Sequence, residues 1–229
     1  MEEIPDMLAG AAKIDITPSC SVWMDGMPRA HPSEGIHDPL FARVLVLANS
    51  EDRAEAFAIV SVDVCVLSSE QTHAAGAAAE CQTGIPVTQI MIAATHTHSG
   101  PATLGLYSPQ EAKYAEELSE KIVVAIDEAA GNMQPAAVGA GSGCEDTISH
   151  YRRLLADDGR VIMNWEPFPT ERIVGPLGQI DPEVAVLKAV PVENPDTVVA
   201  MLFSHAGHPN VLSGDNYLLS ADYPGVATR

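Results

Sequence analysis

The sequence predicts a mixed α/β fold, with β-sheet layers flanked by helices in a single domain over 1–229. Three observations carry this. Apolar β-type runs and helical stretches interleave along the chain. Two of those runs, 40–48 and 55–67, are joined by the polar turn NSEDR, a hairpin signal that argues against a purely parallel sheet. No linker, internal repeat or low-complexity tract divides the chain. At 229 residues, 46% hydrophobic and 19% charged, it is long and apolar enough for one substantial core.

Taken in order, GAAKIDITPS reads as a short strand stopped by Pro18. Residues 19–39 are rich in Gly, Pro and His and read as a long loop, a length that is usually functional or disordered. The hairpin follows. Residues 69–82 read as an Ala-rich helix, with Gly84 and Pro86 beyond its end, and 88–94 as a strand. The clearest helix is 109–131: Ser108 fits the N-cap, Pro109 the first helical position, and Glu111 completes a capping box. Leu118, Ile122, Val123 and Ile126 form its buried stripe, and Gly131 stops it. PAAVGAGSG reads as a strand, 160–182 with its four prolines as loop, and DPEVAVLKAV and TVVAMLFSHAGHPNVL as two more strands.

The charge balance, 31 acidic against 12 basic residues for a net −19, disfavours nucleic acid and anionic membrane surfaces. No apolar run approaches the roughly 18–20 residues of a spanning helix. The acidic opening MEEIPDMLAG has no signal-peptide core, so the expected compartment is cytoplasmic. Cys20, Cys65, Cys81 and Cys144 form no CxxC pair and read as free buried thiols.

The chemistry starts at QIMIAATHTHSGP, 89–101. Residues i and i+2 of an extended segment share a face, so a strand end would present His96 and His98 together. Neutral imidazoles held in this way are good zinc ligands, and Ser99-Gly100-Pro101 turns the chain beside them. A second cluster, FSHAGHPNVLSGDNYLLSADYPG, places His208 at the end of an apolar run, followed by Asp215, Asp222 and Gly225. His205, three residues earlier, would face the opposite side and reads as structural. By themselves, His208 and Arg152 read equally well as structural residues, and Asp63 and Asp222 as turn caps. His31 and His37 read as solvated loop residues, and His73 and His150 carry no special signal.

Five stretches in order, GIHDPLFARVLVL, THTHSGP, YRR, DPEVAVLKA and HPNVLSGDNYLLSADYPG, resemble the N-terminal catalytic domain of the neutral/alkaline, non-lysosomal ceramidases from about residue 9 onward. The resemblance implies zinc-dependent hydrolysis of an N-acyl amide bond in a small lipid-like substrate, releasing a fatty acid and a sphingoid base. It implies His96 and His208 as zinc ligands. His98 becomes a neighbouring orienting group or proton donor, Arg152 a functional arginine, and Asp63 and Asp222 supporting acids.

Tyr151 stands where the family usually has Asn, and Pro-Asn-Val-Leu replaces a stretch closer to Gly-Thr-Ser-Met. The second departure suggests a relative rather than a strict ceramidase. The family takes a glutamate, a tyrosine and an active-site serine from sequence further along, and adds an immunoglobulin-like domain. The 229 residues alone are therefore expected to show little or no turnover. The competing expectations are a zinc hydrolase of another ester, lactone or amide, and a non-catalytic fragment with a partial metal site.

Overall fold

The computed structural model describes residues 7–229; the acidic opening, 1–6, lies outside them. The main elements are β1 (Met7–Asp15), β2 (Gly35–Ile36), β3 (Phe41–Ala48), β4 (Phe57–Val62), α1 (Ser69–Thr83), β5 (Ile90–Ala94), α2 (Gln110–Gly131) and β6 (Gln134–Cys144). They continue with β7 (Arg153–Ala156), β8 (Val161–Met163), β9 (Ile173–Pro176), β10 (Glu183–Pro191), β11 (Ala200–His205), β12 (Leu218–Leu219) and α3 (Asp222–Ala227). These residues form two compact units. One runs up to Gly139 and takes in Lys188–Met201 and Pro209–Arg229; the other comprises Ala140–Leu187 and Leu202–His208.

The first unit is built on a mixed sheet of order β11-β10-β6-β1-β3-β4-β5, of which it takes β6 to Gly139, β10 from Lys188 and β11 to Met201. β1 runs antiparallel to β3 and β6, β3 antiparallel to β4, and β4 parallel to β5 across α1. The mixed α/β reading therefore holds. So does the hairpin, although β4 ends at Val62, with Asp63 N–H still donating to the Phe41 carbonyl of β3.

Alternation decides which face is covered. Ala42, Val44, Val46 and Ala48 on β3, and Ala58, Val60 and Val62 on β4, point one way into the core. Against them packs α2 with Tyr114, Leu118, Ile122, Ala125, Ile126 and Ala129. Truncating a buried Leu or Ile in such a layer typically costs about 2–5 kcal/mol. α2 crosses β1 so closely at Gly10 that a Cβ there would stand 2.1 Å from the Ala129 carbonyl oxygen. Only glycine fits.

α1 begins with a side-chain cap, and a carboxylate holds the turn ahead of α2. Ser68 Oγ accepts the Gln71 N–H while Gln71 Oε1 accepts the Ser68 N–H, a capping box ahead of α1. Gly84 ends α1 with φ 79°. Ahead of α2, the buried Glu111 carboxylate accepts the N–H groups of Leu106, Tyr107 and Ser108. Pro109 occupies the cap position rather than the first helical one, a one-residue shift.

The second unit holds the antiparallel sheet β8-β7-β9. β7 and β8 are joined by a tight Asp157-Asp158-Gly159 turn with Gly159 at φ 82°. Residues 160–182 thus contain two strands, β8 and β9, where the sequence suggested only loop. Each is just three or four residues long, too short for a period-2 pattern to register. Among the described residues, no helix is long and apolar enough to cross a membrane. All four cysteines are free, but Cys20, Cys81 and Cys144 are exposed and only Cys65 is buried, which corrects the expectation of four buried thiols.

Candidate metal centre

β5 ends at Ala94, so His96 and His98 do not sit in a strand as their spacing suggested. The backbone stays paired to the end of β4 for two more residues, Thr95 N–H donating to Val62 and His96 N–H to Val64. It then turns at His96, whose φ is 68°. Among the described residues, the only other non-glycine with positive φ is Asp222, at 55°. Such a conformation costs a non-glycine residue about 1–3 kcal/mol and persists where the surroundings enforce it. The turn sends Thr97 inward, fully buried, where its hydroxyl donates to the Ser220 carbonyl at 2.7 Å. The rings on either side come together, with centroids 4.9 Å apart and planes at 83°.

Hydrogen bonding fixes how His96 presents itself. Its Nδ1 lies 2.6 Å from the Cys65 carbonyl oxygen, which can only accept, so Nδ1 carries the proton and Nε2 keeps its lone pair. His98 Nε2 stands 3.4 Å from His96 Nε2. That spacing matches neighbouring donor atoms around a tetrahedral zinc with Zn–N near 2.0–2.1 Å, about 3.3–3.4 Å apart. One cation, or an oxygen carried by it, is therefore in reach of both rings. The Cys65 thiol is 3.7 Å from His96 Nδ1, and the ligand atoms of Cys65, His96 and His98 all lie within 4.8 Å of one another, a group able to hold a metal ion. Burial, reinforced by the charge of Asp25, pushes the Cys65 thiol up to about 12. At neutral pH its carbonyl is the stronger contribution.

Residues 22–29 of the long loop form the other wall. Met24 bridges to Pro101, Asp25 N–H donates to the Gly100 carbonyl, and Ala102 N–H to the Trp23 carbonyl. Gly26, at φ 90°, presses directly on His98: a Cβ there would lie 2.5 Å from His98 Cγ. Arg29 ties loop and site together, donating to the His98 carbonyl at 2.9 Å and the Asn216 carbonyl at 2.8 Å. Burial lowers the Arg29 pKa, while Tyr217, Tyr107 and Cys65 pull it back up. Asp25 is 8% exposed, and its Oδ2 is buried with no hydrogen-bond partner. The sequence reading missed Cys65, Asp25, Gly26 and Arg29. The Asp-Gly pair was the one local signal, since it favours a positive-φ glycine.

The two acids act on backbone. Asp63 is fully buried; its Oδ2 accepts from Phe41 N–H at 2.9 Å and from Arg43 at 2.6 Å. Burial raises its pKa, against the lowering pull of Arg43. The Asp222 carboxylate accepts from the N–H groups of Val211, Leu212 and Tyr223, so it holds the chain that follows His208-Pro209-Asn210. Pro209 returns a contact to the histidine pair, its carbonyl accepting the His98 N–H at 3.1 Å.

His31 and His37 are exposed, as expected of solvated loop residues, and each also has a partner. His31 stacks on Tyr217 and His37 contacts Asp38 at 2.7 Å.

In the second unit, β11 ends at His205, so the exposed His208 lies in the loop beyond the strand rather than at its end. Ala206-Gly207 breaks the apolar pattern there. Arg152 is exposed, its guanidinium 5.7 Å from the Trp165 ring centroid.

A profile of the neutral/alkaline non-lysosomal ceramidase N-terminal domain matches residues 7–229. The chain belongs to that family. Neutral ceramidase of Pseudomonas aeruginosa is 27% identical over 232 aligned residues, covering 96% of this chain and 32% of the relative. The chain thus spans about a third of the length of the curated relative it matches. Two solved ceramidase structures share the fold at 22% identity. A ceramidase complexed with C2 has a TM-score of 0.75 over 97% of this chain and 34% of its own. Neutral ceramidase from Pseudomonas aeruginosa has 0.72 over 98% and 35%. In this ceramidase-family chain, the motif that carried the resemblance, THTHSGP, is the segment whose two imidazoles converge.

Proposed function

We propose that this chain supplies part of a zinc-dependent hydrolase site that cleaves the N-acyl amide bond of a ceramide-like lipid. The observation that carries the reading is the His96 imidazole, locked by the Cys65 carbonyl with its Nε2 facing His98 Nε2 at 3.4 Å. In this reading His96 and His208 hold the zinc, His208 on the strength of the family resemblance. Bound there, zinc supplies a polarised carbonyl and a water whose pKa is lowered toward about 7. The remaining steps belong to side chains. His98 takes the proton from the attacking water and passes it to the leaving amine. Arg152 stabilises the negative charge that develops on the carbonyl oxygen. Asp63 and Asp222 play supporting parts through neighbouring backbone, Asp63 at Phe41 and Asp222 at Val211 and Leu212 beyond His208.

Membership of the ceramidase family supports this substrate class. Turnover of labelled N-acylsphingosine, run beside simple esters and short acyl amides, is the test. In a protein that also carries the remaining length of the relatives, the reading expects chelator-sensitive release of fatty acid that zinc restores. Hydrolysis confined to the simple esters, or indifferent to chelator, contradicts it.

A further inference from the structure

The second unit contains a cleft of about 780 Å3, within the range of small-molecule sites. Its walls include Ser149, Tyr151, Leu154, Pro176, Ile180 and Pro182. Behind Ser149 stands His205, with Nε2 3.1 Å from the hydroxyl. His205 Nδ1 lies 3.1 Å from the Glu183 carbonyl oxygen. A carbonyl only accepts, so Nδ1 carries the proton and Nε2 offers its lone pair to the Ser149 O–H. Hydroxyl, imidazole and an orienting acceptor in line are the parts of an activated serine nucleophile, with a carbonyl here in the place of the usual carboxylate. Both supports are rigid: Glu183 opens β10 and His205 closes β11, neighbouring strands of one sheet.

From this geometry we propose that Ser149 and His205 form a catalytic centre of the second unit that accepts the acyl group of neutral esters. Ser149 Oγ attacks the ester carbonyl and its proton passes to His205 Nε2. The C–O bond to the alcohol breaks, and the departing oxygen takes that proton. Water then attacks the acyl-serine with His205 again as base, releasing the carboxylic acid and restoring the hydroxyl.

The electrostatics select the substrate. The Thr147 hydroxyl and amide hold the Glu145 carboxyl below its usual range, and His205 adds to the same direction. That neighbouring carboxylate favours the imidazolium formed during attack. With Asp146 also on the cleft and a net charge of −19, anionic acyl donors are repelled, while Leu154, Pro176, Ile180 and Pro182 offer apolar surface to an acyl chain.

The test treats the full chain with a fluorophosphonate and, separately, with p-nitrophenyl butyrate, and locates adducts by peptide mass spectrometry. The proposal expects an adduct on Ser149 that Ser149→Ala abolishes. His205→Gln should slow its formation by about 10²-fold or more. Chelator should leave the labelling of Ser149 unchanged. Circular dichroism checks that the variants remain folded, and the wild-type adduct is informative without them. No adduct at Ser149, equal labelling of His205→Gln, or loss of labelling with chelator overturns it.

Discussion

His96 Nε2 and His98 Nε2 face each other at 3.4 Å because the backbone at His96 adopts φ 68°, not because the two residues share a strand face. Thr97 is drawn inward to Ser220, and the chain must reverse around it. The Cys65 carbonyl then sets the His96 ring, while Gly26 and Arg29 set His98 from the opposite wall. A positive φ at an imidazole is a cost that the anchoring around it sustains, and the converging nitrogens are its result.

Gly26→Ala tests the wall behind His98. The added Cβ meets His98 Cγ and also has to adopt φ 90°. We expect a loss of about 1–3 kcal/mol in urea unfolding, with metal affinity falling in parallel. Unchanged stability and unchanged affinity would mean that the loop does not press on the ring.

Arg43 and Asp63 form a buried pair in which only one partner reaches solvent. Removing the cation alone, in Arg43→Leu, should cost about 3–5 kcal/mol at pH 7 by stranding the carboxylate. Adding Asp63→Asn should recover much of that loss.

The pH dependence follows from the raised folded-state pKa of Asp63. Its stabilising contribution is complete below the ordinary aspartate value of 3.8 and is lost as pH rises through the folded value. The Arg43→Leu penalty should therefore shrink near pH 4. Urea midpoints at the two pH values check this, and a penalty that grows on acidification contradicts it.

The cysteines make a chemical prediction. Cys65 is buried with its thiol pushed up to about 12, whereas Cys20, Cys81 and Cys144 are exposed. Iodoacetamide at pH 8 should alkylate the three exposed thiols and reach Cys65 only after denaturation. Early modification of Cys65 would show that the wall of residues 22–29 does not close over it.

Much of this was legible in the sequence wherever the signal is local. The Glu111 cap, the apolar runs of β3 and β4, and the NSEDR turn are each read within a few residues. THTH was also visible, although for a different backbone reason. What stayed hidden depends on chain segments far apart: the Cys65 carbonyl beneath His96, Gly26 against His98, and Arg29 reaching Asn216 across 187 positions. Periodicity carries no information about such contacts. Asp222 was picked out as an acid, but its work on Val211 and Leu212 follows only from the fold of its loop.

The central claim is that His96 holds a divalent cation through Nε2. Zinc content per chain, measured after exhaustive dialysis of the wild type, His96→Ala and His98→Ala, tests it most directly. The account predicts about one equivalent in the wild type. It predicts a fall of about ten-fold or more in His96→Ala and substantial retention in His98→Ala. A His96→Ala protein that keeps its full zinc complement would contradict it.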